Sequence, residues 1–249
     1  MLARQEYNLE RFLGRLMARS VLSEEEQDAI RELPFRVVRV GPNVDFVRLG
    51  ETPDYCCLIA DGLVGRFDQN SAGARQIIAL HIPAGDMPDL FSVVQPTATC
   101  ALQSLTATTI LQVPKASLRG VAAAYPAIAE AFWRDCMVDA MIVAQWVVNV
   151  GRRDARTRIA HLICEMAYRY KVVRDGTVVF QLPMTQAHLG DVTGLTPVHV
   201  NRTLKVLQDI GVLFRHKTVR IADWNGLTVK ADFNSAYLQL GALHQSQAS

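Results

Sequence analysis

Between Thr185 and Gly211 the chain carries the residues best suited to do chemistry, and that chemistry is recognition of a polyanion rather than bond breaking. Thr196 reads as a helix cap with Pro197 at the first helical position. On the helix that follows, Val200, Leu204 and Leu207 fall at i, i+4 and i+7 and face inward with Leu189, Val192 and Leu195. Val198, His199, Asn201, Arg202 and Lys205 are left on or near the outer face. Arg202 presents a planar fork that matches guanine O6 and N7, a pairing worth about 1–3 kcal/mol of discrimination. Asn201 suits adenine or a phosphate, Val198 a thymine methyl, and His199 a base or a phosphate. Upstream, Thr185 caps a shorter helix, Gly190 leaves space for a close helix crossing, Gly194 permits a left-handed turn, and Gly211 closes the second helix. Thr185 and Gln186 are phosphate candidates at the first helix's start. So are Arg215 and Lys217, in a polar turn between Val212-Leu213-Phe214 and Thr218-Val219-Arg220-Ile221 that predicts a basic-tipped hairpin.

Nothing comparable marks a catalytic or metal centre. The five cysteines, Cys56, Cys57, Cys100, Cys136 and Cys164, are scattered without a C-x-x-C pair, which argues against a disulfide framework and a zinc ribbon. Cys56 and Cys57 are adjacent on an expected strand, so their side chains point to opposite faces. His81, the single histidine among the first 150 residues, reads as structural. No metal and no catalytic residue is expected.

The elements that must position the recognition helix follow from pattern and composition. The 249 residues are 50% apolar and 20% charged, which excludes a disordered chain. The longest nearly charge-free helical run, Ala140 to Val150, is well short of the roughly 20 residues of a bilayer span. Arg4, Glu6, Glu10 and Arg11 do not form a secretory signal, so a cytoplasmic location is expected. Net charge is +2, but residues 1–150 hold 13 Lys/Arg against 17 Asp/Glu and the remainder 13 against 7. A basic C-terminal half suits a nucleic-acid partner.

Two short helices open the chain, the second capped at Ser23 with Glu24, Glu25 and Glu26 in its first turn. Seven β-rich runs follow: Phe35–Val40, Asp45–Leu49, Cys56–Ala60, Leu63–Asp68, Gln76–Ile82, Leu102–Ala107 and Thr109–Val113. Their spacing predicts an antiparallel sandwich or barrel. Pro126 opens a long helix over Ala127–Val150, apolar on more than one face, which Gly151-Arg152-Arg153-Asp154 is expected to break. Such a helix must bury two sides, and pairing with a second copy is the natural solution. Phe132, Cys136, Met137, Ala140, Val143, Ala144 and Val147 are the residues assigned to that pairing.

In order and extent the chain resembles the Crp/Fnr family of bacterial transcription regulators. The motifs that carry the likeness are Thr185–Gly211, Asp61-Gly62-Leu63-Val64 and Pro83-Ala84-Gly85-Asp86. The resemblance implies an α+β fold: an N-terminal antiparallel β-roll of the cyclic-nucleotide-binding jelly-roll type over 1–125, a dimerisation helix over 126–151, a winged helix-turn-helix over 152–230 and a C-terminal tail over 231–249. It implies a homodimer on double-stranded DNA with a two-fold operator, RNA polymerase as a further partner, and no membrane.

Effectors of the family bind where Gly85, Asp86, Asp89, Thr97 and Thr99 fall. The cAMP-binding members hold the cyclic phosphate with an Arg-Ser or Arg-Thr pair, and here Ala98-Thr99 stand in its place, with no arginine between Arg75 and Arg119. The hydroxyl pair that contacts adenine is replaced by Val143 and Ala144. Binding of cAMP in the usual mode is therefore not expected, and neither is the iron–sulfur cluster of the oxygen-sensing members, since no cysteine precedes Cys56. Two other functions remain open from sequence: a cupin-like small-molecule-binding roll, and a winged helix that binds protein instead of DNA.

Overall fold

The computed structural model describes residues 7–238, arranged as two compact units that divide inside the long helix between Met141 and Ile142. The short segment Gln76–Ile78 groups with the second unit.

The first unit opens with α1 (Glu10–Met17) and α2 (Glu24–Arg31). The expected cap at Ser23 is a full capping box: Ser23 Oγ accepts from the Glu26 N–H and the Glu26 carboxylate accepts from the Ser23 N–H. Seven strands follow: β1 (Arg36–Val40), β2 (Val44–Val47), β3 (Tyr55–Asp61), β4 (Val64–Gln69), β5 (Arg75–His81), β6 (Ala101–Ser104) and β7 (Thr108–Pro114). Each expected strand is present. The largest displacement is at β6, which ends at Ser104 rather than Ala107.

They form two sheets, ordered β1-β7-β3 and β2-β6-β4-β5. Side chains alternate across a strand, and the first sheet uses both faces. Cys57, Ile59 and Ile110 pack with Val47, Val64 and Leu102 of the second sheet, making the core between the sheets. Cys56, Leu58, Leu111 and Val113 face the other way, onto a larger core built with α1, α2, α3 (Lys115–Ala124) and the start of α4 (Pro126–Arg152). Cys56 and Cys57 thus sit in separate cores, as their adjacency requires.

Helix α4 begins at Pro126, as expected, but continues through Gly151 to Arg152. Two residues later Asp154 caps α5 (Ala155–Arg169), its carboxylate accepting from the Thr157 N–H at 2.8 Å. The break is thus made by the next helix's cap and not by the glycine, which a helix accommodates at a cost of about 1 kcal/mol.

The second unit continues with β8 (Val178–Gln181), α6 (Gln186–Thr193), α7 (Pro197–Gln208), β9 (Val212–Arg215), β10 (Thr218–Ile221) and α8 (Trp224–Lys230). The three strands form an antiparallel sheet in the order β8-β10-β9. Residues 231–237 pack into this unit, with Ala231 and Tyr237 buried, so the expected tail does not start at 231. Its remaining part, 239–249, lies outside the described residues. No helix among the described residues is long and apolar enough to cross a membrane.

Gly85 holds α1 against the roll. Its φ is +93°, and an added Cβ would lie 2.2 Å from the Arg11 carbonyl oxygen. Gly85→Ala should lower stability by roughly 2–5 kcal/mol, combining left-handed strain with overpacking; chemical denaturation checks this, and a change below about 0.5 kcal/mol would contradict the packing described.

Candidate nucleic-acid interface

Each piece of punctuation read from Thr185–Gly211 has a physical counterpart. Thr185 caps α6, its Oγ1 accepting from the His188 N–H at 3.1 Å, while His188 Nδ1 accepts from the Thr185 N–H at 3.4 Å. That reciprocal arrangement is a capping box with histidine in the place usually held by Glu or Gln. Gly194 turns the chain at φ +65°. Thr196 caps α7 by accepting from the His199 N–H at 3.3 Å, with Pro197 at the first position. At Gly190 an added Cβ would sit 2.5 Å from the Leu195 carbonyl oxygen, so the turn between the helices passes directly over this residue.

Helix α7 is held from behind by α5 and α6. Val200, Thr203, Leu204 and Leu207 are buried on its inner face, while Val198, Arg202 and Lys205, again at i, i+4 and i+7, run along the exposed side. Thr196, Pro197, His199 and Asn201 are exposed around its first turns, and Thr185 and Gln186 are exposed at the start of α6. Strands β9 and β10 are joined by His216 and Lys217, both left-handed at φ +49° and +61°, and Arg215, His216 and Lys217 are all exposed. A two-residue hairpin turn of this kind usually employs Asn or Gly. The side chains of Arg202, Lys205, Arg215 and Lys217 make no hydrogen bond or ion pair among the described residues, so no described carboxylate neutralises their charges. All eleven residues assigned to DNA contact are exposed in this unit. His216, in the same polar turn but not among the residues assigned to DNA contact, is exposed as well.

A buried polar cluster stiffens the support. Glu165 on α5 is fully buried and accepts from Trp146 Nε1 at 2.9 Å, Tyr237 Oη at 2.9 Å and Arg169 Nη1 at 3.1 Å. These ties join the end of α4, helix α5 and the segment after α8 through one carboxylate. Burial, with Glu165 beside it, drives the Tyr237 phenol far above its usual range and keeps it a donor.

The dimerisation set divides. Met137, Ala140, Ala144 and Val147 are exposed on α4, but Phe132 is 7% exposed and packs on Phe12, Cys136 packs against the same core, and Val143 is half-buried. Trp133, absent from the assigned set, is 70% exposed. The open stripe is therefore Trp133, Met137, Ala140, Ala144 and Val147, turned about one residue from the assigned one at its start.

The effector set does not form one site. Gly85 is consumed by packing on α1. Asp86 is buried and accepts from Arg15 Nη1 at 2.6 Å and the Ile82 N–H at 3.0 Å. Asp89 accepts from the Cys57 N–H at 2.8 Å, and burial raises its pKa. Thr97 and Thr99 are exposed. A cavity beside Asp89, Ala98 and Lys115 measures only about 10 Å³, no more than one water needs. At the position expected of a phosphate-binding pair, Ala98 spends its N–H on Glu51 and its carbonyl on Gly50. These residues do not fit a cyclic phosphate.

Among the described residues no three His, Cys, Asp or Glu side chains group to hold a metal ion. Burial raises the pKa of all five thiols, Cys136 to about 12, which suits small apolar side chains and not reactive thiolates.

Comparison with known proteins agrees with the fold and the motif. The model of a Crp-like helix-turn-helix domain matches residues 157–229. An anaerobic regulatory protein of Haemophilus influenzae is 23% identical over 220 residues, covering 88% of this chain and 85% of its own. The transcriptional activator FnrA of Stutzerimonas stutzeri is 23% identical over 211 residues, covering 84% and 86%. Among solved structures, FixK2 from Bradyrhizobium japonicum superposes with a TM-score of 0.68 at 23% identity, over 79% of this chain and 97% of that one. A putative cyclic nucleotide binding protein from Ruegeria pomeroyi gives 0.63 at 14% identity, over 90% and 99%.

The histidine in the α6 capping box makes that cap sensitive to pH. Burial lowers the His188 pKa, with Lys217 adding to the effect and Asp191 opposing it. A histidine pKa below its unfolded value of about 6.5 contributes stability that is complete above that pH and lost as pH falls through the folded value. His188→Gln keeps an acceptor at the same position without the titration, so denaturation midpoints between pH 8 and 5 should fall less steeply for the variant than for the parent. Equal slopes would remove His188 from the account.

Proposed function

Since the chain belongs to the Crp/Fnr family of transcription regulators, we propose that it works in the cytoplasm as a homodimer on a two-fold operator. The half-sites lie about one helical turn of DNA apart. The observation that carries this reading is the exposed Val198, Arg202 and Lys205 face of a helix capped at Thr196, in the same unit as a hairpin tip carrying Arg215 and Lys217. On this reading α7 enters the major groove, Arg202 reads guanine, Val198 meets a thymine methyl, and Thr185, Gln186, Arg215 and Lys217 hold phosphates.

The dimer is supported by α4. Trp133, Met137, Ala140, Ala144 and Val147 are separated by steps of four and three, the period at which two helices wind about each other. Exposed apolar side chains at that period gain burial from an identical partner. On this reading RNA polymerase is a further partner, which similarity to relatives named as transcriptional activators supports. The roll acts without a cyclic nucleotide held in the usual mode, because Ala98 and Thr99 supply no cation there.

Selection of random duplexes by the purified protein without added ligand tests the whole reading: an interrupted palindrome is expected. A winged helix that binds protein instead would show no salt-dependent binding to any duplex. Arg202→Ala should relax preference at one base pair, at a cost of about 1–3 kcal/mol on the preferred operator, whereas Lys217→Ala should weaken all sequences alike and reduce the salt slope by about one. Trp133→Glu places a charge on the open stripe without touching a core residue. Sedimentation should then report a folded monomer with reduced operator affinity; an unchanged dimer would move the interface off α4.

A further inference from the structure

A two-fold operator fixes the distance between its half-sites, so each recognition helix must be held at a set place relative to whatever pairs the two copies. Within the second unit one side chain is placed to do this. Arg158 on α5 donates from Nε to the Arg153 carbonyl at 2.8 Å and from Nη1 to the Thr193 carbonyl at 3.1 Å. Arg153 is the first residue beyond α4, and Thr193 is the last of α6. Both carbonyls stand at helix C-termini, where backbone acceptors lack intrahelical partners and partial negative charge collects. A guanidinium serves two such acceptors at once because its donors diverge within one plane.

The bridge lies at the turn that starts α7. Thr193 is followed by the left-handed Gly194, where an added Cβ would lie 3.2 Å from Val150 Cγ1 and 3.7 Å from Arg158 Nη1. Helix α4 and the guanidinium therefore both border the turn. Thr196 caps α7 two residues further on. Asn149, buried at the end of α4, adds a second tie by donating to the Arg158 carbonyl at 3.2 Å. Ala144 and Val147 of the open stripe lie on this same stretch of α4. The surface offered to a second copy is thus bound, through Asn149, Val150 and Arg158, to the residues that begin the recognition helix.

We propose that Arg158 is a positioning residue that sets the length of the operator's spacer. The inference rests on the operator reading and on pairing through α4. Locked to the ends of two paired α4 helices, the recognition helices keep one separation. A spacer longer or shorter by one base pair displaces a half-site by about 3.4 Å and turns it by about 35°. Without the bridge, α6 and α7 keep their caps and their shared core but tilt against α4, and the displaced half-site is still reached. Arg158 acts through the Thr193 carbonyl and touches no base, so preference within each half-site stays with Val198, Asn201 and Arg202.

Binding of the full chain to duplexes that carry the selected half-sites, with the selected spacer and with one base pair more and one less, tests the proposal. The parent should lose about tenfold or more on either altered spacer. Arg158→Met keeps the aliphatic stem and neither bond; it should bind all three duplexes within about threefold of one another, more weakly than the parent on the selected spacer. Its salt slope should match the parent's. Arg158→Lys, which keeps a cation without the planar fork, should shift in the same direction by less, and carries the comparison if Arg158→Met does not fold. A spacer preference equal to the parent's would overturn the proposal. So would a salt slope lower by about one, which would make Arg158 a phosphate contact.

Hydrogen exchange without DNA reads the lock by itself. In Arg158→Met the amides of Gly194 and Leu195 should exchange about tenfold faster, while those of the β8-β10-β9 sheet keep their protection. Unchanged exchange at the turn would overturn the bridge and leave the operator reading intact. A parent that selects no interrupted palindrome would remove the operator reading, and the spacer with it, whatever the turn amides do.

Discussion

Twenty-seven residues of α4 present apolar side chains on more than one face, and its own chain buries only part of that surface. Ile128, Ala131 and Phe132 complete the core beneath α1 and α2, while Trp133, Met137 and Val147 are left to solvent. The inner face anchors the roll, and the end of the same helix enters the second unit through Trp146 and its bond to Glu165. Its open stripe is an apolar feature that pairing between copies would bury.

Within the first unit, ion pairs between the chain's own side chains tie helix to strand. Arg15 reaches from α1 to both Asp86 and Asp135, and Arg66 reaches from β4 to Asp139 on α4. Burial works against the charged form of Asp139, yet the positive charge of Arg66, with His81 and Arg15 behind it, holds its carboxyl below the usual range. Strand and helix are thus joined by a pair that ionises readily. Buried pairs of this kind add more to the definition of geometry than to net stability.

The strands, the capped helices and the recognition face were legible because their signals are local: alternation, a hydroxyl before a helix, an apolar stripe at i, i+4 and i+7. Proteins write such features within ten residues. The stripe on α4 was misplaced at Phe132 and Cys136 because a helix apolar all round does not say which side its own core will take; the contact with Phe12, 120 positions away, decides it. The same limit hid the role of Gly85, which depends on the carbonyl of Arg11, and the partnership of Arg15 with Asp86 across 71 positions. Strand β8 and helices α3 and α8 were also unread. Val178–Gln181 is only four residues long, and its pairing with β10 lies far along the chain.

Glu165 has an evolutionary consequence. Trp146, Arg169 and Tyr237 converge on one carboxylate with no surface exposure, and each loses a buried partner if that acid is replaced. Substitution of any donor in turn leaves a charge short of its contacts. Selection therefore meets these four positions as a single inherited trait, kept together or exchanged together for an apolar set. In lineages that have repacked the centre of this domain, the change should run through all four, while the exposed recognition residues vary with the operator and on their own schedule.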